Sequence, residues 1–317
     1  MATRDVVIVV QKNDHSIGFY DFLSGSELAR VPVPDYPHEF AISPDGRHAY
    51  SCHFGLKLAE DEGPGGNEIS VVSLAAMRYE RSISCGAWRR PHGIAFDASG
   101  RLYVLSEGTS CLLVIPDPLS GSIVRTMPTA GSGSHIVSVT RDGALAFCSN
   151  MVSDTVSVLA PHGEDEAPIV FNVGKRPEGS AFDEDETRLL VCNRESAELS
   201  VIAVAEKKMI GRIATPPGPV RMTRIAGARF AVACYHDRSI IVVDADRGAV
   251  TQRVALAANP VSIGIDPHSG LALAGLLPSG LAVADLAAGK AERIIPTRAG
   301  PDPMAVVALP DEKEFRS

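Results

Sequence analysis

Pro91-His92-Gly93-Ile94-Ala95-Phe96-Asp97-Ala98-Ser99-Gly100-Arg101-Leu102-Tyr103-Val104-Leu105-Ser106 opens on a proline, runs through a short apolar stretch, turns, and ends in a second apolar stretch closed by a small polar residue. Asp97, Ser99 and Gly100 are residues that a tight hairpin turn demands, so the segment predicts two antiparallel strands. A third apolar run, Leu112 to Ile115, follows a short loop. The same order of events recurs along the chain. Its openings are Pro37-His38-Glu39-Phe40, Pro91-His92-Gly93-Ile94, Ser134-His135-Ile136-Val137, Pro177-Glu178-Gly179-Ser180, Pro219-Val220-Arg221-Met222, Pro260-Val261-Ser262-Ile263 and Pro303-Met304-Ala305-Val306. They lie about 42 residues apart except between the first two, the length of four short strands joined by tight turns.

Turns such as Ser43-Pro44-Asp45-Gly46 and Arg141-Asp142-Gly143 punctuate the units, and further apolar third strands fall at Ile69 to Val72, Val156 to Leu159, Leu199 to Ile202, Ile240 to Val243 and Leu281 to Val283. No stretch reads as a long helix. The last unit supplies only a first strand, Met304 to Leu309, whereas the N-terminus supplies three, at Val6 to Val10, Ser16 to Tyr20 and Glu27 to Val33. Joining them completes a seventh blade and leaves no open sheet edge. The expected architecture is therefore all-β, one domain over residues 1–317: a β-propeller of seven four-stranded antiparallel blades, its ring closed by the N-terminal strands.

Two segments carry a family resemblance. Leu189-Leu190-Val191-Cys192-Asn193 and Asn150-Met151-Val152-Ser153-Asp154-Thr155-Val156-Ser157-Val158-Leu159, each downstream of a strand opening, resemble the YVTN-type repeats of seven-bladed propellers, which also occur in proteins labelled lactonase-like. The resemblance is one of fold, shared by enzymes and binding proteins alike. Asn150 and Asn193 keep the hallmark asparagine; Gln11, His53, Ser106, Cys234 and Gly275 take its place in the other blades. A WD40 assignment fits poorly, with one tryptophan, Trp88, and no Trp-Asp pair.

The net charge of −8 argues against a sequence-independent grip on nucleic acid, which needs a basic face, and against an anionic membrane surface. No apolar run reaches the length of a membrane span. The start, from Met1 to Val10, is too short for a signal peptide and predicts a cytoplasmic chain. Six cysteines without zinc or redox spacing fit that compartment, since Cys52, Cys148, Cys192 and Cys234 sit in or at the end of apolar runs.

Chemistry is expected on the rim where first strands start and second strands end. The residue after each opening Pro or Ser reads His38, His92, His135, Glu178, Val220, Val261 and Met304 around the ring. Three imidazoles and a carboxylate at one equivalent position suit a divalent transition metal, Mn, Fe, Co, Ni or Zn. The competing reading is that each bonds backbone at a strand start, or that the histidines point between blades toward Ile94 and Phe96. Around this set, His53 and Glu107 are expected as further ligands or acid/base groups, and Tyr235 and His236 as proton donors or acceptors. Asn150 and Asn193 are expected to shape their loops. Basic residues gather on the same rim: Lys12, Arg89, Arg90, Lys175, Arg176, Arg194 and Arg221. They would attract a carboxylate or phosphate. The loop from Phe54 to Asn67 is about ten residues longer than its counterparts and is a candidate lid.

No GxSxG elbow, P-loop, HExxH or Rossmann glycine pattern is present. The sequence thus predicts a metal-dependent enzyme for a small anionic or sugar-like substrate, a lyase or isomerase by metal-assisted proton abstraction. The alternatives are a lactonase-type hydrolase with metal-activated water, which the resemblance keeps open, and a non-catalytic binding or scaffold propeller. The sequence does not fix substrate, metal or oligomeric state.

Overall fold

The computed structural model describes residues 3–164 and 166–310. Residues 1–2, 165 and 311–317 of the expected single-domain span lie outside the described residues. Seven four-stranded antiparallel sheets form the ring. Blade 1 runs Pro37–Ile42, His48–His53, Glu68–Ser73, Arg78–Ser84, and blades 2 to 6 open at Pro91, Ser134, Pro177, Pro219 and Pro260. Blade 7 takes its first strand, Pro301–Pro310, from the C-terminal side and pairs it with Thr3–Gln11, Val6 opposite Val307 and Ile8 opposite Ala305. No helix among the described residues is long and apolar enough to cross a membrane.

The middle strands are apolar on both faces because each blade is sandwiched between two others. Leu102 and Val104 pack toward blade 1 with Tyr50, Ile69 and Val71. Their neighbours Tyr103 and Leu105 pack toward blade 3 with Val137, Ala146 and Cys148. Side chains alternate with period two, so one strand serves two interfaces. Seven buried clusters result, one for each blade-to-blade interface, including the seam where Ile8, Phe19 and Val31 of blade 7 meet Ala49 and Val72 of blade 1. Outermost strands have one solvent face, and Lys208–Ala214 accordingly alternates between covered and exposed residues.

Every first strand carries a β-bulge directly after its opening residue. Pro91 pairs with Ser106 but Ile94 with Val104, and Pro177 pairs with Asn193 but Ser180 with Val191. A bulge re-aims the side chain it contains. Here it turns the second motif residue toward the channel.

Register corrects two expectations. In blade 7 the residue opposite the end of the second strand is Pro301, paired with Gln11, and the bulge falls between there and Met304, opposite Val9. The seventh opening is therefore Pro301-Asp302, and Asp302, not Met304, is the ring-position residue; Met304 packs into the interface with blade 6. Likewise Leu276, not Gly275, stands opposite Pro260.

Candidate functional site

Around the ring the second motif residues are His38, His92, His135, Glu178, Val220, Val261 and Asp302, and the three imidazoles meet. Ring centroids of His38 and His92 lie 4.1 Å apart, those of His92 and His135 3.8 Å, and Phe54 packs edge-on against both His38 and His92. The histidines therefore face one another at the channel rather than Ile94 and Phe96.

Hydrogen bonds fix two tautomers. His92 Nδ1 sits 2.9 Å from the carbonyl oxygen of His135, which can only accept, so Nδ1 carries the proton and Nε2 is bare. That Nε2 is buried and makes no hydrogen bond, and neither does His38 Nδ1. His135 Nδ1 donates to Glu107 Oε2 at 2.8 Å. An imidazole whose other nitrogen is held by a carbonyl or carboxylate is the arrangement typical of a metal ligand. Ligand-type atoms of His38, Glu39 and His92 lie within 4.8 Å of one another, as do those of His92, Glu107 and His135. Asp302 Oδ2 is 3.4 Å from His38 Nδ1. Burial, reinforced by Lys12 and His135, holds His38 well below the usual imidazole range; burial with His135 and His38 does the same to His92. The shift favours the neutral form of both rings, the form that binds metal. Burial and nearby Glu39 push the Asp302 carboxyl up to about 6.

Glu178 is placed differently. It is not in either ligand grouping. Arg194 and Arg176 reach its Oε1 at 3.1 and 3.4 Å, and Arg221 reaches Oε2 at 3.2 Å. Burial raises its pKa, but Arg221, His135 and Arg194 outweigh that and hold it below the usual carboxylate range. Arg221 also reaches Glu39 across the channel. Glu39 and Asp302 are the two buried carboxylates beside the histidines that the motif reading missed. Glu39 occupies the third motif position, where no other blade has an acid, and Asp302 was hidden by the register.

Above this floor is a cavity of ≈ 370 Å³, lined among others by Lys12, His38, His135, Arg194, Arg221 and Asp302. The long loop roofs one side with Lys57, Leu58, Ala59 and Glu60. Arg90 anchors that loop, donating to the carbonyls of Ala59, Asp61 and Gly63. Glu60 closes onto Arg176 at 3.2 Å.

The remaining expected residues divide by position. Tyr235 lines the cavity with the Arg194 guanidinium 4.8 Å from its ring centroid. His236 is exposed and does not line it. His53 ends its strand with Nε2 buried and unpartnered, away from the cavity lining. Arg89 is exposed, and its carbonyl accepts from Ser106. Lys175 stands exposed farther out on the rim. Asn150 bonds Ser134, Thr155 and Ser157, and Asn193 bonds Ser200, holding their blades together. All six cysteines are free.

No family model and no curated protein matches the sequence. Solved structures do. A functionally unknown protein from Desulfotomaculum acetoxidans DSM 771 aligns with a TM-score of 0.77 at 11% identity, over 96% of this chain and 99% of that one. Hydrazine synthase of Kuenenia stuttgartiensis aligns at 0.69 and 18% identity over 91% of each chain. The dihydro-heme d1 dehydrogenase NirN, in complex with DHE, aligns at 0.67 and 18% identity; the match covers 93% of this chain and 64% of that one. Identities this low show the fold, a seven-bladed β-propeller, and the narrower YVTN or lactonase-like type rests on the repeat pattern alone.

Proposed function

We propose that this chain is a metal-dependent enzyme acting on a small anionic substrate at the channel mouth, as a lyase or isomerase. The observation that carries the reading is His92 Nε2, buried with no hydrogen bond, next to His38 Nδ1, which makes none either and has the Asp302 carboxylate 3.4 Å away, beneath a charged cavity. A bare buried nitrogen loses its water without compensation, a cost that a bound cation removes. His38, His92 and His135 would hold a divalent transition metal, with Glu39 or Asp302 completing the set. Glu107 and the His135 carbonyl orient the imidazoles. When bound, the metal supplies polarisation of a carboxylate or carbonyl and so acidifies a neighbouring C–H bond.

The chain's own groups do the rest. Glu178 braces Arg176, Arg194 and Arg221 into a frame that presents guanidinium edges to an entering anion. Lys12 and Tyr235 are the cavity-wall groups that would take and return a proton. Burial lowers the Lys12 pKa, so its neutral amine is easier to reach than that of a surface lysine.

Elemental analysis of untagged protein tests this beside His92→Ala, His135→Ala and Glu178→Gln variants of confirmed fold. Near-stoichiometric Mn, Fe, Co, Ni or Zn that is lost in both histidine variants and kept in Glu178→Gln is the expected result. No metal after soaking with those ions would sink the metalloenzyme.

A further inference from the structure

Beside the inner cavity lies a second hollow of ≈ 540 Å³, lined by Glu107, Val152, Asp154, Lys175 and Glu195 together with four residues it shares with the inner one. The shared residues are Ala59, Glu60, Met151 and Arg176. The two are thus neighbouring chambers, and the residues of their common wall include the Glu60–Arg176 ion pair, 3.2 Å across. Glu60 keeps 64% of its side chain in solvent, and such an exposed pair separates easily. Each chamber has the volume that holds one small-molecule moiety.

Their charges are opposite. The inner lining sets five basic side chains against three carboxylates; the outer sets four carboxylates against Lys175 and Arg176. The exposed Val152 adds an apolar edge to the outer chamber. A moiety that satisfies this lining is an alkyl chain bearing a cationic hydrogen-bond donor.

We infer that the outer chamber is a subsite for the cationic tail of a dipolar substrate whose acidic head occupies the inner cavity. The inference rests on the inner cavity's being an anion site. The acidic head enters under the long loop and competes with Glu60 for Arg176, a guanidinium that Glu195 also approaches at 3.8 Å, and the ammonium tail then lies between Asp154 and Glu195, Glu107 being held by His135. Opposite potentials in adjoining chambers fix which end of the molecule goes in.

Calorimetric titration with hexanoate, a head alone, and 6-aminohexanoate, the same head with a cationic tail, tests it on wild-type protein and on Asp154→Asn/Glu195→Gln. Asp154 has a left-handed backbone, φ 56°, and its Oδ1 accepts the Arg176 amide; asparagine keeps both. The wild type is expected to bind 6-aminohexanoate roughly five-fold more tightly than hexanoate, a preference the double variant loses. Equal binding of the two by the wild type overturns the outer subsite and leaves the inner anion site standing. A preference undiminished in the double variant overturns the assignment to these carboxylates. Binding of neither overturns the inner anion site and the subsite with it.

Discussion

Arg221 of blade 5 and Glu39 of blade 1, 182 residues apart in sequence, meet across the central channel with Nη2 and Oε1 at 2.6 Å. Both side chains are almost wholly buried, 13% and 12% exposed, and the same guanidinium bonds Glu178 of blade 4. This one cation ties three blades around the channel histidines. Burial alone would favour its neutral form; Glu39 and Glu178 outweigh that and keep it firmly protonated.

Removing it leaves two buried carboxylates short of a partner. Arg221→Met is expected to cost about 3–5 kcal/mol of stability, the scale for breaking a buried ion pair. Glu60→Gln, which breaks an exposed pair, should cost no more than about 1 kcal/mol. Urea unfolding of the two variants checks the contrast, and equal small losses would show that Arg221 does not bind the ring together.

Gly93 follows His92 and lies against blade 3. A Cβ there would stand 2.6 Å from the His135 carbonyl oxygen and 2.8 Å from the Val137 amide nitrogen, both backbone atoms that cannot rotate away. Gly93→Ala is expected to cost about 1–3 kcal/mol and, by pushing His135 from His92, to lower metal stoichiometry. Gly211→Ala is the control, since its nearest neighbour is a Val201 side-chain atom at 4.0 Å. Unfolding curves and metal content of both variants decide it.

Asp97 gives a pH signature remote from the site. Burial raises its pKa, but hydrogen bonds from Ser99, Tyr103 and Arg101 outweigh this and hold it at about 2, below its ordinary 3.8. A depressed folded pKa contributes stability that is complete above the unfolded pKa and lost as pH falls through the folded one. The contribution is about 2 kcal/mol at neutral pH. Asp97→Asn should therefore be less stable than wild type at pH 7 by about that amount, the gap closing between about pH 4 and pH 2. A gap independent of pH would assign the effect to packing.

Arg90 holds the long loop by three backbone carbonyls and packs over the Phe54 ring. Arg90→Ala is expected to speed amide exchange over residues 57–63 while leaving the blade strands as protected as before. Unchanged exchange in the loop would mean that the Glu60–Arg176 contact alone keeps it down.

The repeat was legible because burial on both faces imposes near-continuous apolar middle strands, and turns between them admit few residue types. His38, His92 and His135 stood out because the bulge after each opening recurs, so one sequence position means one place in the ring. Asp302 did not, since Pro301 and Pro303 both open a credible strand and only the pairing of Pro301 with Gln11 chooses between them. Arg176, Arg194 and Arg221 were visible as basic rim residues. Their convergence on Glu178 was not, because it joins blade 4 side chains to one from blade 5.

By itself the sequence determined the number of blades, the closure of the ring and the histidine positions, all set by local periodicity and by the chain's own order. Tertiary structure alone decided which carboxylates stand beside the histidines and which meet arginines, Glu39 doing both. Those partners are separated by up to 182 residues and meet only when the ring closes, and at a few ångströms' distance the partner sets how a buried carboxylate's charge is balanced.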